Sequence, residues 1–310
     1  MTRLLLVAAA VLTLVLPAIA DNYVLRLTTT MLMYSALALG WNFIGGFAGY
    51  PSFATAAFFG LGAYAGGVLQ TKGLPMPAAW ILAGAIAALF AAGLGRAILH
   101  LRGHYFAIAS LVVAEVLREV TNSATDLTGG GMGLNLPVLP ADVTTQAQLF
   151  YYAMLIVAAT ALSTTALVAR HRLGFGLRCI QQNEDAAIVL GVNTRRYKVA
   201  ALTLSALFPG LCGAIYASWV NYIDPTDVYD VLLSVKPIVM VLLGGAGTVL
   251  GPVYGAFLFL LMEEMVWRNV LQFHAGLLGI IVVCLVLFLP HGLRGGGWKF
   301  RRRRMGEVAP

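Results

Sequence analysis

Residues 174–209 read GFGLRCIQQNEDAAIVLGVNTRRYKVAALTLSALFP, one long, mixed-charge, helix-forming segment in a chain that is otherwise mostly apolar. It carries Arg178, Glu184, Asp185, Arg195, Arg196 and Lys198. The runs on either side of it are apolar and long enough to cross a bilayer. A loop this polar between two spans has to lie in water, where it is available to another protein. What touches it is the functional question.

Outward from that loop, the composition settles the class. The chain is 60% hydrophobic and only 11% charged, with a mean hydropathy of +0.84, whereas soluble domains carry about 25% charged residues. An all-α, polytopic integral membrane protein is the expectation. The 34 glycines suit membrane helices, whose small side chains let backbones approach closely. The net charge of +7 does not indicate nucleic acid, because the basic residues collect in short loops beside apolar spans. Cys179, Cys212 and Cys284 lie far apart, without a CxxC or a histidine at metal-ligand spacing. They read as structural thiols, with no disulfide and no metal.

Apolar runs of about 17–25 residues mark spans. They fall near Leu4–Ala20, Val24–Ile44, Phe53–Leu69, Ala78–Ile98, Phe106–Val120, Leu149–Val168, Val199–Val220, Leu232–Leu243, Leu250–Trp267 and Ala275–Leu289. The eighth is short enough for a tilted or re-entrant half-helix, so 8–10 crossings are expected within one transmembrane domain over 1–293. The first run also has the basic start, apolar core and Ala18-Ile19-Ala20 ending of a signal peptide. An uncleaved first span fits those residues as well. Fifteen of the 20 Lys and Arg fall on one side if the N-terminus is inside, while Asp21, Asp126, Asp142, Asp224, Asp227 and Asp230 fall on the other. The positive-inside rule then predicts N-in and C-in. It places the loop at about 170–198 and a basic tail over 294–310 in the cytoplasm, with a long outer loop at about 121–148. The outer loop's Leu127–Leu134 stretch (LTGGGMGL) reads as too flexible for helix.

Enzymatic motifs are missing. There is no GxxxxGK[ST] phosphate loop, HExxH or GxSxG, and neither Gly129–Gly133 nor Gly244–Gly247 has the strand-then-helix setting of a nucleotide loop. The five histidines all lie near span ends, where interfacial snorkelling accounts for them.

Two features inside the membrane deserve weight. Glu115, Arg118 and Glu119 share one helix face, and Lys236 has Glu263 and Glu264 as candidate partners on the next helix. Each group reads either as lining for a solute path or as an internal ion pair fixing helix register. The second feature is a pair of glycine breaks. Gly45-Gly-Phe-Ala-Gly49 is followed by Tyr50-Pro-Ser52 and an apolar helix; Gly244-Gly-Ala-Gly247 is followed by Thr248 and another. Their likeness hints at an internal repeat of the transporter kind. Cavity lining and close helix packing are the two readings. The candidate path residues are Gly49, Ser52, Phe53, Phe58, Gly62, Glu115, Gly245 and Gly247.

Gly45–Tyr64 (GGFAGYPSFATAAFFGLGAY), Arg102–Arg118 (RGHYFAIASLVVAEVLR), Leu127–Leu134, 176–217, Gly244–Pro252 (GGAGTVLGP) and Pro290–Leu293 (PHGL) occur in a characteristic order. As a set they resemble the LivM-type permease subunits of branched-chain amino acid ABC importers, over most of the chain from about Leu37 to Leu293. The resemblance implies a second, related permease, two cytoplasmic ATPases and an external solute-binding protein as partners. It also implies no cofactor in this chain, with ATP and Mg used by the ATPases. Importers of this type for urea, short amides or other amino acids are similar enough to remain alternatives. A stand-alone secondary transporter or channel is the competing class, but the long polar loop has no purpose in it.

Within this resemblance, Asp185-Ala-Ala-Ile-Val-Leu-Gly191 looks like the EAAxxxG element that importer permeases dock into an ATPase groove. Asp stands for the first Glu, and the proline usual shortly after the glycine is displaced to Pro209. The residues themselves support a short docking helix over Gln181–Leu190. Asn183 suits the N-cap, Glu184 and Asp185 the acidic first turn, and Gly191 the C-terminal glycine. Ala186 and Ala187 are expected to leave a shallow docking face, with Arg178, Arg195 and Arg196 making charged contacts.

Overall fold

The computed structural model describes residues 21–269, together with 13, 16, 17 and 20. Most of the first expected span, the last span (Ala275–Leu289), the PHGL motif and the basic tail 294–310 lie outside the described residues. Among the described residues, ten α-helices longer than a single turn make up the frame: α1 Asn22–Trp41, α2 Thr55–Thr71, α3 Met76–Ile98, α4 His104–Ser123, α5 Val143–Arg170, α6 Arg172–Gln182, α7 Glu184–Val189, α8 Thr194–Val220, α9 Leu232–Gly244 and α10 Gly251–Asn269. Among the described residues, α3, α5 and α8 are long and apolar enough by themselves to cross a membrane.

The spine is α8. At 27 residues it runs about 40 Å, at about 1.5 Å per residue. The helices α2 and α3 lie against it through small residues. A side chain at Gly62 would meet the Gly210 carbonyl at 2.1 Å, and one at Gly210 would meet the Ala87 methyl at 2.5 Å. Backbones this close gain dispersion contacts that bulkier residues would forbid. Pro209 lies within α8 without ending it. Its ring and the Ser205 carbonyl face Gly40 of α1, whose missing side chain leaves room for both. The displaced proline is therefore a helix-packing residue in this chain.

Several boundaries shift from the hydropathy reading. The helix α5 starts at Val143 and not Leu149, and α8 at Thr194 and not Val199, because polar first turns add helix without adding hydropathy. The span expected over Val24–Ile44 ends as α-helix at Trp41 and continues as a π-helical turn over Asn42–Phe47. The stretch expected as an outer loop, at about 121–148, is more ordered than its glycines imply. It forms single helical turns at Thr125–Thr128 and Gly130–Met132, then a strand β1, Leu134–Asn135, paired antiparallel with β2, Tyr222–Ile223. Here the glycines permit the positive φ angles that such tight turns need.

Candidate functional site

The polar loop folds back onto the bundle as two helices, not the single helix expected over Gln181–Leu190. Asn183 adopts extended geometry (φ −162°, ψ 111°) and splits α6 from α7. Its side-chain carbonyl accepts a hydrogen bond from the Ala186 N–H at 3.0 Å, so the N-cap role holds and itself forces the break. Gly191 closes α7 at φ +83° with nothing within 4 Å of where a side chain would begin. Conformation, not space, requires the glycine there.

Beneath α7 sits a buried polar joint. The Lys198 ammonium is 4% exposed and uses all three donors: to Glu184 at 2.6 Å, to the Leu99 carbonyl at 2.8 Å and to the Tyr50 hydroxyl at 3.0 Å. Tyr50 in turn donates its hydroxyl proton to Glu184. Arg102 adds a second cation, 3.5 Å from Glu184 and 3.0 Å from Asp185. Burial pushes the Glu184 carboxyl up, but the bonds from Lys198 and Tyr50 and the charges of Lys198 and Arg102 outweigh it. The group is held below the ordinary carboxylate range. Asp185, hydrogen-bonded to Arg102, is also held low.

The joint reaches the first glycine break. Tyr50 belongs to the segment between α1 and α2; Gln181 of α6 donates to the Gly46 carbonyl at 3.1 Å; and the Arg178 guanidinium stands 5.4 Å from the centre of the Phe47 ring. The first break then meets the second. Fully buried Asn42 accepts from the Gly247 N–H at 2.9 Å and donates to the Thr248 carbonyl at 2.9 Å. Gly247 holds φ +71°, and any side chain at Gly46 would strike its nitrogen at 2.7 Å. Two breaks 200 residues apart in sequence are thus one contact. Hydrogen bonds thus tie the loop helices to Gly46, and Asn42, in the same helical turn as Gly46, to the turn before α10.

The extended stretch leading to α2 is satisfied by side chains from other helices. Phe53 donates its N–H to Ser110 of α4 at 2.8 Å, and its carbonyl accepts from Ser234 of α9 at 2.7 Å. Trp41 donates to the Ser52 carbonyl at 2.7 Å. Non-helical backbone at membrane depth persists where such partners exist.

The expected site residues separate accordingly. Arg178, Glu184, Asp185 and Gly191 sit at or beside the joint, while Arg195 and Arg196 are exposed at the start of α8. Ala186 is exposed, but Ala187 is 1% exposed and packs inward, so the alanine pair does not form one docking face. Consecutive helical residues stand about 100° apart around the axis, which points the two to different sides. The outer surface of α7 is instead Ile188, Val189 and Leu190, with Phe175 exposed on α6. Of the path candidates, Gly49 lies against Gln181, and Ser52 and Phe53 form the bonded stretch. Phe58 is buried in the core and Gly62 lies in the α2–α8 seam. Gly245 and Gly247 form the second break, the carbonyl of Gly245 accepting from Thr248 at 2.8 Å. Glu115 stands on the exposed face of α4, paired with Arg118. Lys236 pairs with Glu263 at 2.7 Å, one of its two expected partners. Tyr50, Asn42, Gln181, Lys198, Ser110 and Ser234 escaped the sequence-based site. For Tyr50, Asn42, Ser110 and Ser234 the only signal was a polar residue in or beside an apolar run, while Gln181 and Lys198 were hidden among the other polar residues of the loop.

A profile of the family described as branched-chain amino acid transport system / permease component matches residues 23–289. The high-affinity branched-chain amino acid transport system permease protein LivM of Escherichia coli is 26% identical over 94% of this chain and 74% of its own length. A probable branched-chain amino acid transport permease protein LivM of Methanocaldococcus jannaschii is 19% identical over 62% of this chain and 60% of its own. The nucleoside ABC transporter permease protein NupC of Lactococcus lactis is 33% identical over a shorter stretch, 28% of this chain and 26% of its own. No solved structure matches. With the profile spanning the bundle, both glycine breaks and the loop helices, the chain belongs to the branched-chain amino acid transport system permease family, a family of polytopic membrane proteins.

Proposed function

We propose that this chain is the membrane permease subunit of an ABC importer for branched-chain or related small amino acids, and that α6 and α7 form its coupling element. The observation that carries the mechanism is the set of hydrogen bonds that tie Glu184 to Tyr50, Gln181 to Gly46 and, from the same helical turn as Gly46, Asn42 to Gly247. A push on the exposed surface of α7 moves Glu184, and with it Lys198 and Tyr50, because separating a buried ion pair or stranding a buried hydrogen-bonded group is costly. The two glycine breaks then shift together, and α2 and α10, which they lead into, tilt with them.

In this reading the ATPases occupy the face formed by Ile188, Val189, Leu190 and Phe175, with Arg195 and Arg196 beside it. That places the loop in the cytoplasm and β1–β2 outside, in a bacterial-type inner membrane with both termini inside. A second, related permease completes the translocating pair, two ATPases bind ATP and Mg, and an external binding protein delivers the solute. This chain performs no catalysis and holds no cofactor. Co-purification of the tagged chain tests the reading: recovery with an ATPase pair supports it, and uptake by the isolated chain in vesicles overturns it. Replacing Asp185 or Gly191 is expected to uncouple ATP hydrolysis from uptake while leaving insertion intact.

A further inference from the structure

At the end of the bundle opposite α6 and α7, a cavity of about 640 Å³ opens between the starts of α1 and α5, the end of α8 and the turn before α9. Its volume lies within the roughly 300–1,000 Å³ of small-molecule sites. Two opposite charges line it: Arg26, in the second turn of α1, and Asp227, in the single helical turn Pro225–Val228. Neither belongs to an ion pair among the described residues. The nearby cation Lys236 is already compensated. Lys236, 5.6 Å from the ring of the lining residue Tyr34, is paired with Glu263.

Part of the cavity wall is aromatic. Phe59 and Tyr216 have ring centres 5.5 Å apart, and Tyr216 and Trp219 meet edge to face at 6.4 Å. Burial and the neighbouring carboxylates of Asp224 and Asp230 push the Asp227 carboxyl above its usual range. A cation placed beside it would relieve that crowding. An unpaired guanidinium, an unpaired carboxylate and an apolar wall around one cavity match a molecule with a carboxylate, an ammonium and an apolar side chain.

We propose that this cavity is a binding site within the permease for a zwitterionic, apolar α-amino acid, with Arg26 taking the carboxylate, Asp227 the ammonium and the Phe59–Tyr216–Trp219 wall the side chain. The proposal rests on the importer reading and extends it: selection is not left to an external binding protein alone. It also separates solute classes, since neutral urea or a nucleoside offers hydrogen bonds but no opposite charge to either group. The competing use of Arg26 is snorkelling to lipid phosphate, which makes no demand on Asp227.

The test is equilibrium binding of radiolabelled L-leucine to the full chain in lipid nanodiscs. The competitors are 3-methylbutylamine, which lacks the carboxylate, 4-methylpentanoate, which lacks the ammonium, and uridine. Saturable binding is expected, weakened about tenfold or more by Arg26→Gln and by Asp227→Asn. Both residues sit at an exposed rim, and Arg26→Lys serves as the conservative control, retaining part of the affinity. Unlabelled leucine should compete and the three analogues should not. Absence of saturable binding overturns the proposal. So does unchanged affinity in both charge variants, or equal competition by uridine. ATP-driven uptake by the assembled importer separates the two readings: leucine uptake indifferent to Arg26→Gln and Asp227→Asn removes the cavity site alone, whereas no uptake of any amino acid removes the importer reading beneath it.

Discussion

At the residue scale, Lys198 and Glu184 carry the most consequence. Their side chains are 5% and 11% exposed, and breaking such a pair from one side leaves a charge buried without its partner. Lys198→Met is expected to lower stability by about 3 kcal/mol. Adding Glu184→Gln to it should restore a large part of that loss, because the uncompensated carboxylate is gone. Thermal unfolding in detergent reads both, and additive losses in the double variant would contradict the joint. The same pair predicts an acid limb. The Glu184 carboxyl is held below the ordinary carboxylate value of about 4.3, so its stabilisation is complete above that value and is lost as pH falls through the lowered one. Melting temperature followed from about pH 7 to pH 3 should fall more steeply in the parent chain than in Glu184→Gln. Parallel curves would remove Glu184 from the account.

At the scale of elements, the meeting of the two glycine breaks is the feature to perturb. Asn42→Leu removes both bonds to the second break and strands the Gly247 N–H and Thr248 carbonyl. Stranded buried polar groups cost about 1–3 kcal/mol each. The expected phenotype is a chain that inserts and still stimulates ATP hydrolysis but imports poorly; a variant with normal uptake would mean that the contact transmits nothing. Gly62 poses a different question. A methyl there would sit 2.1 Å from the Gly210 carbonyl, so Gly62→Ala should push α2 from α8 and lower stability by about 1–3 kcal/mol. Unchanged stability with altered uptake would instead favour its place on a solute path.

For the whole molecule, the decisive property is sidedness. The structure collects Arg96, His100, Arg102, Arg195 and Lys198 around one cleft of about 490 Å³ beside Glu184, while Asp224, Asp227 and Asp230 lie at the far end of α8 with β2. Charge asymmetry of this kind sets orientation in membranes. Single cysteines introduced at Arg195 and Met132, both exposed, should react with an impermeant thiol reagent from the cytoplasmic and the external side respectively. Cys212 is fully buried, and because Cys179 is partly exposed the labelling is read with Cys179 and Cys284 replaced by alanine. Labelling of both from one side would invert or collapse the proposed topology.

The amino-acid sequence by itself determined the membrane class, the approximate helices and the polar loop as the functional anomaly, because hydropathy, charge distribution and helix caps are local properties. Asn183 and Gly191 were legible for that reason, as was the Glu115–Arg118 pair one turn apart. Only the tertiary structure decided that Asn183 divides the loop into two helices, that Ala187 faces inward, and that Tyr50 and Lys198 close on Glu184. It alone joined Asn42 to Gly247 and set Arg26 and Asp227 around one cavity. Such pairings join residues far apart along the chain, and no spacing rule encodes them. They form because a buried polar group must find a partner wherever helix packing brings one within reach.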